Sequence, residues 1–245
     1  MLSSLGSLLS VPPLRVAIVG AGAIGSEYAL YHFGRATGTV VVSVVDCNGE
    51  AASTLASSLD KQNGRKRQDR VRACTDLSQA LTSCDIVYIG TPPSTHCELA
   101  KQSLTAGCSV LLEKPLAASP ADADALVAVA EQAKNRGLHL GLNIGMRWNE
   151  ALIEMRRLSI QERVLGQVTS GSLELHFGRW PREWQQVAWC AGRAEGGPLR
   201  EVGTHFLFGL QELFGSTCVK RVMAKVRRAL TSHACASVRV LARSL

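Results

Sequence analysis

The segment Gly20-Ala21-Gly22-Ala23-Ile24-Gly25 follows the apolar run Val16–Val19 without a break and leads into an amphipathic stretch, so a G-x-G-x-x-G pattern stands where a strand ends and a helix begins. Few local patterns restrict a chain more. Gly20 permits a tight turn, Gly22 lets the backbone approach a diphosphate, and Gly25 lets the following helix lie close on the strand. Ala23 and Ile24 fall at the start of that helix, whose free amides favour an anion. Asp46 ends the next β-branched run, 21 residues after Gly25, where a carboxylate accepts hydrogen bonds from the adenosine ribose hydroxyls. This favours NAD. A ribose 2′-phosphate would meet the Asp46 charge at close range unless an Arg of the neighbouring loop offsets it, which makes NADP the less favoured cofactor.

Short β-branched runs alternate with longer amphipathic stretches from Leu14 to Leu142, the signature of an α/β, doubly wound parallel sheet. Strands are expected over 14–19, 40–45, 71–73, 85–90, 109–112 and 138–142, and helices over 23–33, 50–59, 76–81, 95–106 and 121–136. Ser119 is the expected N-cap of the last helix, with Pro120 at its first position. After Asn143 the texture changes. A helix over 149–158, a strand over 167–177, a Trp- and Gly-bearing loop over 178–197, a helix over 199–214 and strands over 217–226 and 232–241 describe a second, α+β domain. The expected division is an arm over 1–13, a Rossmann domain over 14–145 and a substrate or oligomerisation domain over 146–245.

The 27 basic and 20 acidic residues give a formal charge of +7, which invites a nucleic-acid partner, but the distribution argues against one. No acidic residue follows Glu212, and Lys220, Arg221, Lys225, Arg227, Arg228, Arg239 and Arg243 supply the whole excess, as solvated faces of short strands do. Arg65, Lys66, Arg67, Arg70 and Arg72 lie in a polar stretch that reads as a surface loop. No apolar run approaches the ~18 residues of a membrane helix. Eight cysteines include no C-x-x-C and no Cys/His pair at zinc spacing, so they read as buried free thiols of a cytoplasmic protein, with no metal site. Met1 to Leu14 contain no Lys or Arg and thus lack a secretory leader's basic start.

Two further blocks fall at predicted strand ends, where ligands of open α/β sheets bind. In Gly90-Thr91-Pro92-Pro93-Ser94-Thr95-His96, the prolines stiffen the loop on the nicotinamide side, Thr91 and Pro92 line it, and His96 is placed to meet either cofactor or helix backbone. In Glu113-Lys114-Pro115, a partly desolvated Lys114 beside the positive nicotinamide would have its pKa lowered and could exchange a proton with an alcohol or carbonyl oxygen. The same three residues also suit a surface ion pair. A cis peptide at Pro115 fits a tight turn there.

Together with Arg147, Gly196-Gly197-Pro198 and Glu201-Val202-Gly203-Thr204-His205, these blocks occur in an order that resembles the glucose-fructose oxidoreductase, inositol dehydrogenase and MocA (Gfo/Idh/MocA) family over roughly residues 14–228. The resemblance implies a Rossmann domain followed by an α+β domain with an open, mainly antiparallel sheet that often forms a homo-oligomer interface. It implies that Lys114 contacts the reacting hydroxyl and the cofactor together with Glu113, that His205 acts as acid/base or polarises the substrate oxygen, and that Arg147 and Glu201 help bind substrate. On a helix, Glu201 and His205 are four apart and share one face, with Val202, Phe206, Leu210 and Leu213 as the opposite, buried stripe. Glu201 stands where many members have Asp, and Phe208 where many have a second Asp, which implies a less polar pocket. Members also usually continue with further strands, so the second domain is expected to be shortened.

The favoured reading is an NAD-dependent dehydrogenase that moves a hydride between the nicotinamide and a carbinol carbon of a small polyol, sugar or cyclic diol. Lys114, His205 and Glu201 are its candidate catalytic residues. The alternatives are a non-catalytic NAD(H) sensor of the same fold and a hydrolase that uses bound NAD transiently.

Overall fold

The computed structural model describes residues 11–164, 166, 170–177, 180–183, 185, 187–192, 194–214 and 236–243. Its contacts divide the chain into two units between Leu142 and Asn143.

The first unit alternates strand and helix. In chain order its strands are β1 (Leu14–Val19), β2 (Thr39–Val45), β3 (Arg72–Cys74), β4 (Ile86–Ile89), β5 (Ser109–Glu113) and β6 (Leu140–Asn143), the last reaching one residue past the division. Between them stand α1 (Ala23–Glu27, continued by a π-type turn, Tyr28–Phe33), α2 (Gly49–Gln62), α3 (Ser78–Leu81), α4 (Pro93–Thr105) and α5 (Pro120–Lys134). The sheet order is β3-β2-β1-β4-β5-β6, and β1 pairs in parallel with β2 on one side and β4 on the other. The direction of winding therefore reverses between β1 and β4, the position at which open α/β sheets bind ligands beyond the carboxyl ends of their strands.

Burial follows from this position. Along β1, Val16 and Ile18 face one apolar cluster with Val41, Val44, Leu55 and Tyr88, whereas Ala17 and Val19 face another with Val87, Leu104 and Leu112. A central parallel strand covered on both sides needs an unbroken apolar run, which is how Val16–Val19 reads. The expected cap of α5 forms, with Ser119 Oγ accepting from Asp122 N and Pro120 at the first position. A further cap stands at the start of α2, where Asn48 Oδ1 accepts from the Glu50 and Ala51 amides. The third strand begins one residue later than its β-branched run suggested, since Val71 instead donates its amide to Asp60 Oδ1 and is buried.

The second unit contains a 3-10 turn (Gly145–Trp148), α6 (Glu150–Arg156), β7 (Ser170–Phe177), α7 (Ala188–Ala191), α8 (Thr204–Phe214) and β8 (Ala236–Arg243), with β7 and β8 paired antiparallel. Leu175 and Leu210 are its buried apolar contact, with Leu199, Phe206 and Leu207 packed around them. The stretch 178–197 is not all loop, because α7 lies inside it, and the strand expected over 217–226 lies outside the described residues. No helix among the described residues is long and apolar enough to cross a membrane.

Candidate active site

The glycine turn is shaped by its neighbours. Gly20 has φ +96°, and a Cβ there would stand 2.7 Å from the Gly90 carbonyl oxygen at the end of β4. A Cβ on Gly25 would fall 1.8 Å from the Gly20 carbonyl oxygen, so only a glycine lets α1 start this close to the turn. Gly22 differs: a Cβ there would meet no atom within 4 Å. Its open side faces away from the fold, and no side chain caps the helix that begins at Ala23. Open space over uncapped amides fits the diphosphate of a dinucleotide.

Asp46, half-buried, closes the turn from the neighbouring strand. Its carboxylate accepts from the Ala21 amide at 2.7 Å and from the Asn48 amide at 2.9 Å. The turn and the Asp46 carboxylate are therefore already joined. Ala23 and Ile24 are exposed on the first turn of α1.

The carboxyl ends of β4 and β5 bring the next residues to the same edge. Thr91 and Pro92 are half-buried, and Pro92 is the N-cap of α4. His96 is fully buried, with Nδ1 2.9 Å from the Pro115 carbonyl and Nε2 2.9 Å from the Thr91 carbonyl. Its partners are backbone carbonyls of the two loops rather than the helix backbone expected for it. Burial pushes the imidazole below its ordinary pKa, against the opposing pull of the two carbonyls and the Glu113 carboxylate. The neutral ring donates to one carbonyl at a time.

Glu113 is buried, so it does not stand at the surface as the alternative reading had it. Its Oε1 accepts from the Tyr88 hydroxyl at 3.0 Å and its Oε2 from the Lys114 amide at 3.3 Å. Tyr88 has no exposed surface and stacks on Tyr28 at 4.8 Å between ring centres; burial and then the Glu113 charge raise its pKa. Lys114 is half-buried, and the Lys114–Pro115 peptide is cis, as expected. No local motif marks Tyr88, although a lone aromatic in the otherwise aliphatic run Ile86–Ile89 is a visible signal.

In the second unit, Arg147 is exposed on the 3-10 turn before α6. The segment expected as one helix over 199–214 opens instead with a π-type turn, Leu199–Gly203. The facial assignment changes with it: Glu201 is buried, whereas Val202, placed in the buried stripe by regular spacing, is only half-buried. Polar partners make that burial tolerable. Glu201 Oε2 accepts from Gln185 Nε2 at 2.9 Å and lies 3.9 Å from Arg182, whose Nε donates to Gln185 Oε1. Nothing in the sequence marked Gln185 or Arg182. His205 is half-buried on the first turn of α8, and Leu210 keeps its predicted buried place. No group of three or more metal-ligating side chains occurs among the described residues.

Comparison with known proteins supplies independent findings. Residues 14–142 match the model of an oxidoreductase family with an NAD-binding Rossmann fold, Gfo/Idh/MocA. An uncharacterised oxidoreductase of Schizosaccharomyces pombe is 25% identical over 209 residues, which are 84% of this chain and 53% of that protein. D-glucoside 3-dehydrogenase of Escherichia coli is 27% identical over 225 residues, 89% of this chain and 59% of that enzyme. The chain thus spans little more than half the length of these relatives. The crystal structure of GenD2 from gentamicin A biosynthesis, in complex with NAD, shares the fold with a TM-score of 0.76 at 24% identity, over 94% of this chain and 62% of that one.

Proposed function

Because the chain belongs to the Gfo/Idh/MocA oxidoreductase family with its NAD-binding Rossmann fold, we propose that it is an NAD-dependent dehydrogenase acting on a carbinol carbon of a small polyol, sugar or cyclic diol. The observation that carries this reading is the sharing of one sheet edge by the glycine turn, the Thr91-Pro92 loop and Lys114, at the carboxyl ends of β1, β4 and β5. When bound, the dinucleotide supplies the hydride acceptor or donor. Gly22 and the amides after it receive the diphosphate, and Asp46 accepts from the ribose hydroxyls, which favours NAD over NADP.

Lys114 is assigned the hydroxyl proton, and His205, in the second unit, the acid/base or polarising role that the family resemblance gives it. Glu201 is assigned the orientation of His205 or the binding of a second substrate hydroxyl; its buried carboxylate accepts from Gln185 through Oε2. Arg147 is assigned to substrate. Residues 14–145 serve as the dinucleotide domain and 146–245 as the substrate domain, whose open, mainly antiparallel sheet supports a homo-oligomer. The cytoplasm suits the buried thiols Cys74, Cys84, Cys97 and Cys108.

Turnover of Lys114→Ala and His205→Ala on a panel of glucosides, inositols and cyclic diols tests the reading. Each variant is expected to lose roughly 10²–10⁴-fold in kcat while NADH still binds. Full turnover by both, on a substrate the parent oxidises, would overturn it.

A further inference from the structure

Lys114 sits between two residues that the interior holds by their polar atoms. On one side, the Tyr88 hydroxyl donates to Glu113 Oε1 at 3.0 Å, and the other oxygen of that carboxylate accepts the Lys114 amide at 3.3 Å. On the other side, His96 Nδ1 meets the Pro115 carbonyl at 2.9 Å, and the same ring reaches the Thr91 carbonyl at 2.9 Å. Tyr88 and His96 have no exposed surface, and Glu113 has 8%.

Such polar burial is costly unless it is hydrogen-bonded, and apolar packing does not require it. A phenylalanine at 88 would keep the stacking on Tyr28 and the edge contact with Phe33. What the hydroxyl adds is the bond to Glu113. What the imidazole adds is a donor set between a carbonyl of the loop after β4 and a carbonyl of the loop after β5. Both additions fall on the residues that flank Lys114.

We propose that Tyr88 and His96 are positioning residues that fix the Lys114 backbone from its two sides, Tyr88 through Glu113 and His96 through Pro115. The proposal rests on the reading of Lys114 as the proton-handling group. A reacting amine displaced by an ångström forfeits on the order of 10²-fold in rate, so rigid support at these two points matters more for chemistry than for folding.

Amide hydrogen exchange of the unliganded full chain, followed by NMR, tests the support without substrate. In Tyr88→Phe, which keeps the ring packing, the Lys114 amide is expected to exchange about tenfold faster, while Ile18 and Val44 in the core keep the parent rate. His96→Leu is expected to do the same, and His96→Asn, whose amide takes the place of Nδ1, to restore slow exchange. An unchanged Lys114 amide in Tyr88→Phe, or one that speeds up only together with Ile18 and Val44, overturns the proposal. Steady-state kinetics add a second arm: kcat is expected to fall in Tyr88→Phe with the KM for NAD held. If Lys114→Ala turns over normally, the dehydrogenase reading of Lys114 fails, and the exchange measurement still decides whether Tyr88 and His96 hold its backbone.

Discussion

Asp46 and Glu201 are both carboxylates assigned to the candidate site, and they are held in opposite ways. Asp46 is half-buried and accepts from backbone amides, those of Ala21 and Asn48, which the strand end and the glycine turn present to it. Glu201 is buried and accepts from side chains, Gln185 foremost with Arg182 beside it, contributed by a loop 16 or more residues away. A carboxylate held by backbone tolerates changes around it provided the turn survives. One held by side chains fails with any of its partners.

The strongest way to break the first arrangement is through the turn. Gly25→Ala places a Cβ 1.8 Å from the Gly20 carbonyl oxygen, and neither backbone can yield without moving β1 or α1. Chemical denaturation is expected to show a loss of about 3 kcal/mol or more. Gly22→Ala is its control: the added methyl meets nothing within 4 Å, so stability is expected to stay within about 0.5 kcal/mol while NADH affinity by fluorescence titration falls about tenfold. Equal stability losses in the two variants would contradict the account of the turn.

Breaking the second arrangement is expected to cost less. Glu201→Leu strands the Gln185 amide and removes the carboxylate beside Arg182, a loss of about 1–3 kcal/mol by denaturation, and Gln185→Leu should reproduce much of it. The loss should not add in the double variant, because the two side chains share one bond. Asp46→Ala is expected to cost only about 0.5–1 kcal/mol, since water can replace the carboxylate at the amides, yet to weaken NADH binding clearly. A larger stability loss at Asp46 than at Glu201 would reverse the comparison.

The smallest effect concerns pH. Burial holds the His96 pKa in the fold below its unfolded value, so the unfolded chain binds more protons in the interval between the two. The sign follows: His96 favours the fold above the unfolded histidine value, and that advantage is lost as pH falls from there towards the depressed value. Melting temperature is therefore expected to drop on acidification from pH 7 to 5, and His96→Asn to flatten that slope. An equal slope in both proteins would show that His96 does not titrate with folding.

Much of the first unit was legible beforehand. Gly20, Gly25 and Asp46 could be placed because their roles depend on neighbours within a few residues or on one strand crossing, and Ser119 because an N-cap answers to amides three residues ahead. His96 was located but not resolved, as both its partners, Thr91 and Pro115, are backbone carbonyls that carry no residue signal. Tyr88 escaped because its partner depends on β4 and β5 being adjacent, with Tyr88 opposite Leu111. Glu201 is buried where regular helical spacing put it on the open face, because the π-type turn at Leu199–Gly203 replaces that spacing.

The order of residues alone determined the alternation of strand and helix, the glycine turn and the carboxylate that closes it, because these rest on short-range backbone geometry and on which side chains avoid water. Only the tertiary structure decided which polar groups share the interior. Tyr88 with Glu113, His96 between two loops, and Glu201 with Gln185 are pairs made by elements distant along the chain, and desolvation makes such a pair tolerable only when both members arrive together.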